Sequence, residues 1–462
     1  MLSVLKKHEF KFQLLCWALI FALDIQYYEV RSTFSDCSIG VVNIIFSEDF
    51  INTHNRFTNS LFHIIPLIWI KYGGNLKGFL ILLSISAHLL IFFATLLLKF
   101  ISKDDKFGWL ILLSCCFWLN HSFVYLTPET GTFIFCLFYF SLFESFKNNT
   151  SKSKFYLLTS VLFILAAFAH PISAAMLLIL MLYLFFVEDK ANFKMIIITV
   201  FMLFVIVAMV KWFSPSVEYD NKSVHSFIDH LNQIQNIQES AFLKYANVNY
   251  RYKLLYKITF ALIILTLIYF KEWKRLSFFL ISIVALSLIL SIYLFSNYSA
   301  TYSDLYIQCV GIIFCLFIFY CVTELLVLGY LPFILLIAIS CNRLIEYGKL
   351  YDNRAAFIKS AIAYCQSQNM GDKIVVKYGD ISNAQLLYET WALPFESLIF
   401  STLAGKPMTI SIANDLPKEN TGAEFYFGNL PSLKQSEIIL PSVFPLSQSK
   451  YQLLDSIPPF LK

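Results

Sequence analysis

The stretch FSEDFINTHNRF, residues 46–57, sets two adjacent carboxylates, Glu48 and Asp49, close to His54 and Arg56 in a chain with few charges. A carboxylate can serve as general base toward a hydroxyl. A guanidinium beside an imidazole can stabilise the charge that grows on a departing phosphate. Asp36, earlier in the same loop, is a second candidate base. The same side chains would also make an ordinary wet face of a surface loop, and the residues alone leave both readings open.

Three further motifs could share that chemistry. In YLTPETGTF, Glu129 is a second acidic candidate, although Thr127, Pro128 and Glu129 also compose an ordinary helix start, with threonine as cap and glutamate facing the positive helix end. In FAHPIS, His170 could donate to a phosphate oxygen or simply end the preceding helix. Lys211 and Arg251 are phosphate candidates whose plainer role is to snorkel toward headgroups. His225, Asp229 and His230 have poor spacing for three metal ligands on one helix. Metal use therefore stays unknown, with a divalent ion left open. The chain has no phosphate-cradling P-loop and no Gly-x-Ser-x-Gly elbow, and nothing in it suggests nucleic-acid binding.

The elements that must position these groups are apolar. Of 462 residues, 58% are hydrophobic and 14% charged, and mean hydropathy is +0.66. With 48 phenylalanines there is more apolar surface than a soluble core can hide. The expectation is a polytopic α-helical membrane protein. A span needs roughly 20 apolar residues, and about eleven segments qualify: about 12–29, 76–98, 107–126, 130–146, 155–169, 171–187, 194–213, 254–270, 277–296, 305–322 and 325–341.

Lysines set the orientation, because short basic loops stay cytoplasmic. Lys6, Lys7 and Lys11 hold the N-terminus inside, and KFISKDDKF, KNNTSKSK, EDKANFK and KEWKR follow as basic inner loops. The first span starts like a signal peptide but is interrupted by Asp24, and is read as a retained anchor that needs a wet cavity or a partner for that carboxylate. Alternation leaves residues 30–75, 214–253 and 342–462 outside. The turn in CVTELLVLGY carries no lysine, so the tail is outside only if the last two apolar runs are separate helices. Of the ionisable groups near or within spans that the basic inner loops do not account for, most, Asp24 and Arg31 among them, sort to outer ends; His88, Glu144 and Glu324 are the exceptions.

Within residues 30–75, SLFHIIPLIWI is too short to cross and predicts an interfacial helix. HSFIDHLNQIQNIQESAFL predicts an amphipathic helix in the second outer loop. The tail predicts a small α/β domain: a helix over Asp352–Gln368, a strand at KIVVKY, a helix through NAQLLYETWALPFESLIFSTLAG, then strands at MTISI and EFYF. Cys37 and Cys365 both fall on the outer side, but spacing does not establish a bridge.

This layout resembles the GT-C superfamily of membrane glycosyltransferases, especially the protein O-mannosyltransferase and lipid A aminoarabinose transferase type. The resemblance implies an α-helical transmembrane domain over 1–341, a small extracytoplasmic α/β domain over 342–462, and a bacterial inner-membrane location with a periplasmic tail. It implies a catalytic base at Asp49 or Glu48 in SEDFINTHNRF, a second acidic group at Glu129 in LTPETGTF, and His170 of AHPIS where relatives carry a basic residue. Here the pair runs Glu-Asp where relatives often show Asp-Glu, and glutamate stands at 129 where aspartate is common. The implied reaction moves a sugar from a polyprenyl-phosphate donor to a glycan, lipid or protein acceptor. The alternatives are a transporter or flippase of lipid-linked saccharide and a non-catalytic membrane assembly factor.

Overall fold

The computed structural model describes residues 8–34, 36–47, 57–102, 106–119, 135–142, 152–169, 172–188, 229–232, 234–248, 250–293, 300–323, 331–377, 390–413 and 450–454, with short pieces elsewhere. It is mostly helical with a small parallel sheet. In chain order the helices are α1 (Glu9–Gln26), α2 (Tyr28–Thr33), α3 (Asp36–Ser47), α4 (Ile64–Lys71), α5 (Leu76–Ser102), α6 (Lys106–Leu119), α7 (Lys152–Ala167), α8 (Ile172–Phe186), α9 (Ala241–Val248), α10 (Tyr250–Tyr269), α11 (Trp273–Tyr293), α12 (Ala300–Thr323), α13 (Leu331–Ser367) and α14 (Leu393–Leu403). Among the described residues, two helices are long and apolar enough to cross a membrane: Leu76–Ile101 within α5, and α11.

Both faces of these helices are apolar. On α11, Phe279, Leu286 and Leu290 are buried while Ile281, Val284 and Leu288 on other faces are exposed. On α5, Leu80, Leu83 and Ile91 point inward and Phe93, Leu97 and Phe100 outward. A helix that is hydrophobic all round needs an apolar environment on its outer side as well.

The bundle has two distinct ends. At one, Lys99 Nζ sits 3.2 Å from the Phe10 ring centre, Phe107 stacks on Phe319, Trp109 stacks on Phe333, and Arg275 bridges Glu188 and Glu272 at 2.8 and 2.7 Å while lying over the Tyr320 ring. This lysine-bearing end therefore gathers the start of α1, the α5–α6 turn, the end of α8, the start of α11 and the α12–α13 junction. α12 arrives there and α13 leaves from it, so the two apolar runs around CVTELLVLGY are separate antiparallel helices. At the other end, Phe34 meets Tyr351 with ring centres 4.3 Å apart, and α2, α3, α4 and the tail assemble. The second large loop caps the far end of α11, where the Ala241 N–H donates to the Phe295 carbonyl at 2.9 Å.

α4 folds back onto α5 through Gly73, whose φ is +76°, a region that favours glycine. The Trp69 ring then lies where a Cβ on Gly74 or Gly78 would be. Its Nε1–H donates to the Asn75 carbonyl at 3.0 Å, while Asn75 Oδ1 caps α5 by accepting from the Gly78 N–H at 2.8 Å. The expected short apolar helix is thus present, preceded by a 3-10 turn over Phe57–His63.

Two expectations change. The second loop has no continuous amphipathic helix: a 3-10 turn over Ile234–Glu239 contains Asn236 at non-helical angles, and α9 starts afresh after Ser240. The Ser240 hydroxyl accepts the Leu243 N–H at 3.1 Å, an N-cap that outweighs the weak helix preference of the Asn/Gln-rich segment before it. The last apolar run also does not stop near residue 341. α13 is 37 residues long, about 55 Å, and runs on past residue 341 to Ser367. Gly348 lets this helix pass under the Tyr27 ring.

The tail carries parallel strands β1 (Lys373–Lys377), β2 (Thr409–Ala413) and β5 (Gln452–Leu453) in the order β2-β1-β5, plus an antiparallel pair, β3 (Glu424–Phe425) with β4 (Leu433–Lys434). The β1–β2 register aligns Lys373 with Thr409 and Lys377 with Ala413. One face packs Ile374, Val376, Ile410 and Ile412 on α13 and α14. Cys37 and Cys365 lie in separate clusters and form no disulfide. Burial pushes the Cys365 thiol up to about 11.

Candidate functional site

Of the residues singled out for chemistry, Glu48, Asp49, His54, Arg56, Glu129, His170 and Lys211 lie outside the described residues. Asp36 opens α3 and Arg251 falls in the first turn of α10 by backbone position. The structure does describe the root of the loop that carries the first group. α3 ends at Ser47, directly before Glu48 and Asp49.

A buried polar cluster lies further back, where the chain leaves α1 for α2. Asp24, near the end of α1, is fully buried. Its Oδ1 lies 3.2 Å from Arg31 Nη2 on α2, and its Oδ2 lies 2.6 Å from His88 Nδ1 on α5. Arg31 Nε–H donates to Ser84 Oγ at 3.0 Å, and the Ser84 hydroxyl donates to the Asp24 carbonyl at 2.8 Å. Ser84 and His88 share one face of α5, four residues apart. A little further along, the Ser32 hydroxyl donates to the Leu80 carbonyl at 2.9 Å. One carboxylate, one guanidinium and one imidazole thus join α1, α2 and α5 at the place where the chain turns from bundle to loop.

Charged groups this deep persist when they are paired, because an isolated buried charge costs several kcal/mol. Asp24 therefore has the partner its position demands rather than a wet cavity. With Nδ1 protonated, the imidazole donates to Asp24 Oδ2 and the carboxylate accepts. Among the described residues no group of three or more histidine, cysteine, aspartate or glutamate side chains is arranged to hold a metal ion.

Comparison with protein-family models, with curated proteins and with solved structures gives no match. The reading of this chain therefore rests on its own residues.

A second buried ion pair ties the tail to itself beside the loop. Arg354 of α13 donates from Nη2 to Glu396 Oε2 of α14 at 2.8 Å and from Nε to the same oxygen at 3.1 Å, with the two side chains 5% and 1% exposed. Lys359 of α13 pairs with Glu29 of α2, which also accepts the Tyr28 hydroxyl at 3.0 Å. At the lysine-bearing end, Arg275 with Glu188, Glu272 and the Tyr183 hydroxyl joins α8 to α11.

Sequence reasoning marked Asp24, Arg31 and His88 as ionisable groups near or within spans, but not their pairing. It missed Ser84, since a serine in an apolar helix carries no signal of its own. Arg354 and Glu396 were missed as well, because each reads as an ordinary polar-face residue of its helix.

Proposed function

We propose that the chain is a multi-pass membrane glycosyltransferase of GT-C type, taking a sugar from a polyprenyl-phosphate donor and passing it to an acceptor hydroxyl on the outer face of a bacterial inner membrane. The observation that carries this reading is the division of the bundle into two ends: lysine-bearing turns at one, and the acidic loop root packed with the tail at the other. Apolar outer faces on helices such as α5 and α11 suit lipid, and the short basic turns at the lysine-bearing end support a cytosolic side there. The loop and tail then face a compartment without nucleotide-activated sugars, where a donor must arrive already activated in the lipid.

The reaction assigns one job to each group. Asp49, with Glu48 and Asp36 as the other candidates, accepts the proton of the acceptor hydroxyl. The acceptor oxygen bonds to the sugar's anomeric carbon as the bond from that carbon to the phosphate oxygen breaks. The electron pair and negative charge leave with the polyprenyl phosphate, stabilised by Arg56, His54, His170, Lys211 and Arg251. Glu129 orients the acceptor or shares a divalent ion. The test is transfer from a polyprenyl-phosphate-linked sugar in membranes by Asp49→Asn and Glu129→Gln. The expected outcome is a loss of at least about a hundredfold in kcat for Asp49→Asn. Full activity in both variants removes this site assignment.

The Asp24–His88–Arg31 cluster favours a second reading, a transporter or flippase of lipid-linked saccharide, because ionisable groups inside apolar helices are typical of ion-coupled movement. Movement of donor across liposome membranes with no covalent product, lost in Asp24→Asn, would support that reading over transfer.

A further inference from the structure

The tail does not stand clear of the bundle as a separate soluble lobe would. α14 is buried from Leu393 through Ser401 without an exposed face, although a helix at the surface of a soluble domain keeps one. One side is tied to β2: the Ile410 N–H donates to Ser397 Oγ and the Met408 N–H to Ser401 Oγ, both at 2.8 Å. The other side is taken up by the first loop. Phe395, Leu398 and Ile399 of α14 enter one cluster with Val41, Val42 and Ile45 of α3, and the start of α5 closes it through Phe79 and Leu83. The Arg354–Glu396 pair fixes α14 to α13 beneath this contact, and α13 is itself continuous with the bundle.

The geometry points to α14 as a clamp on α3: by packing on Val41, Val42 and Ile45 it fixes the end of that helix at Ser47, the residue directly before Glu48 and Asp49 in sequence. Leu398 and Ile399 are positioning residues, acting through α3 and touching no substrate. This role rests on the transferase reading for its effect on catalysis, while the clamp itself is a statement about α3 and α14. It gives the tail an intramolecular task in the reaction, separate from acceptor capture. The contact is apolar and fully enclosed, so truncating Leu398 leaves a cavity that α3 can enter only by shifting.

The experiment uses the full-length protein in lipid nanodiscs, comparing wild type with Leu398→Ala and Leu398→Met. Amide hydrogen exchange is read over residues 37–47, with α11 as internal reference. Leu398→Ala is expected to speed exchange in α3 by at least about tenfold and to leave α11 unchanged, whereas Leu398→Met, which conserves volume, stays near wild type. Unchanged exchange in α3 overturns the clamp. In the same preparations, turnover of a polyprenyl-phosphate-linked sugar is measured per donor-binding site, with donor affinity determined separately. Positioning predicts about a tenfold fall in kcat at unaltered donor affinity in Leu398→Ala, with recovery in Leu398→Met. Loosened α3 with undiminished turnover overturns the positioning role. Wild-type protein that shows the exchange pattern but makes no product upholds the clamp and removes the transferase reading instead.

Discussion

α5 and α11 have similarly apolar sequences, yet they settle against their neighbours by different means. α5 meets α1 and α2 through Ser84 and His88, which hold Asp24 and Arg31 in a buried ionic cluster. α11 meets α10 and α12 through aromatic packing, with Phe279 against Phe260, Phe314 and Phe317 at ring-centre distances of 5.5, 5.7 and 4.8 Å, and its two charged residues, Lys274 and Arg275, stand at its start, at the lysine-bearing end. Apolar burial is non-directional, so it does not by itself single out one arrangement of two helices. An ion pair between three helices has one geometry that satisfies it. The ionic contact lies where the chain leaves the bundle toward the acidic loop, and the apolar one lies where the helices only need to stay together.

That contrast breaks most visibly at Asp24. Asp24→Asn leaves Arg31 buried without its counter-charge, and a loss of about 4 kcal/mol is expected, read as a lowered thermal unfolding temperature in nanodiscs. Replacing the set together, Asp24→Leu with Arg31→Met and His88→Leu, is expected to recover most of that loss. Asp24→Asn as stable as wild type would mean the cluster holds nothing.

Phe279→Ala tests the other side. A cavity among the three remaining rings, Phe260, Phe314 and Phe317, is expected to cost about 3 kcal/mol, and Phe279→Leu about 1 kcal/mol, in the same unfolding measurement. Equal losses for both variants would make the site depend on ring geometry rather than on filled volume.

The tail offers a buried cation in a third setting. Lys373 is buried beside the Tyr451 ring, and burial holds its ammonium below the usual lysine value of 10.5, with neighbouring Asp372 opposing the shift. Between that lowered value and 10.5 the unfolded chain keeps a proton that the folded chain has released, so stability rises with pH across this window. Lys373→Met is expected to flatten the rise, measured by hydrogen exchange of residues 373–377 against pH. The smallest effect is expected from Lys359→Ala. Its pair with Glu29 is 49% and 32% exposed, and exposed pairs contribute about 0.5 kcal/mol.

Much of the element plan was legible from local pattern: the apolar runs at 76–98 and 277–296, the short helix at SLFHIIPLIWI, and the strands at KIVVKY and MTISI all appear where periodicity put them. The second loop was misread because helical spacing of Phe227 to Phe242 says nothing about a competing cap at Ser240. The end of the last apolar run was misread because hydropathy falls off at Asn342 while the helical backbone, with no proline beyond its first turn, has no reason to stop. Of the candidate site, Asp24, Arg31 and His88 could be marked as anomalies by their chemistry, but nothing local says that one answers another.

The amino-acid order alone therefore determined what each segment prefers: apolar helices, lysines gathered in short turns, alternating strands and an acidic loop near the start. These are properties of neighbours in sequence, set by side-chain transfer energies and backbone preference. Only the tertiary structure decided that Asp24 pairs with His88, sixty-four residues away, that α12 and α13 meet at the lysine-bearing end, and that α14 of the tail packs on α3 of the first loop. Those contacts join distant segments, and their partners are selected by which buried charges and apolar faces remain unsatisfied once the bundle has closed.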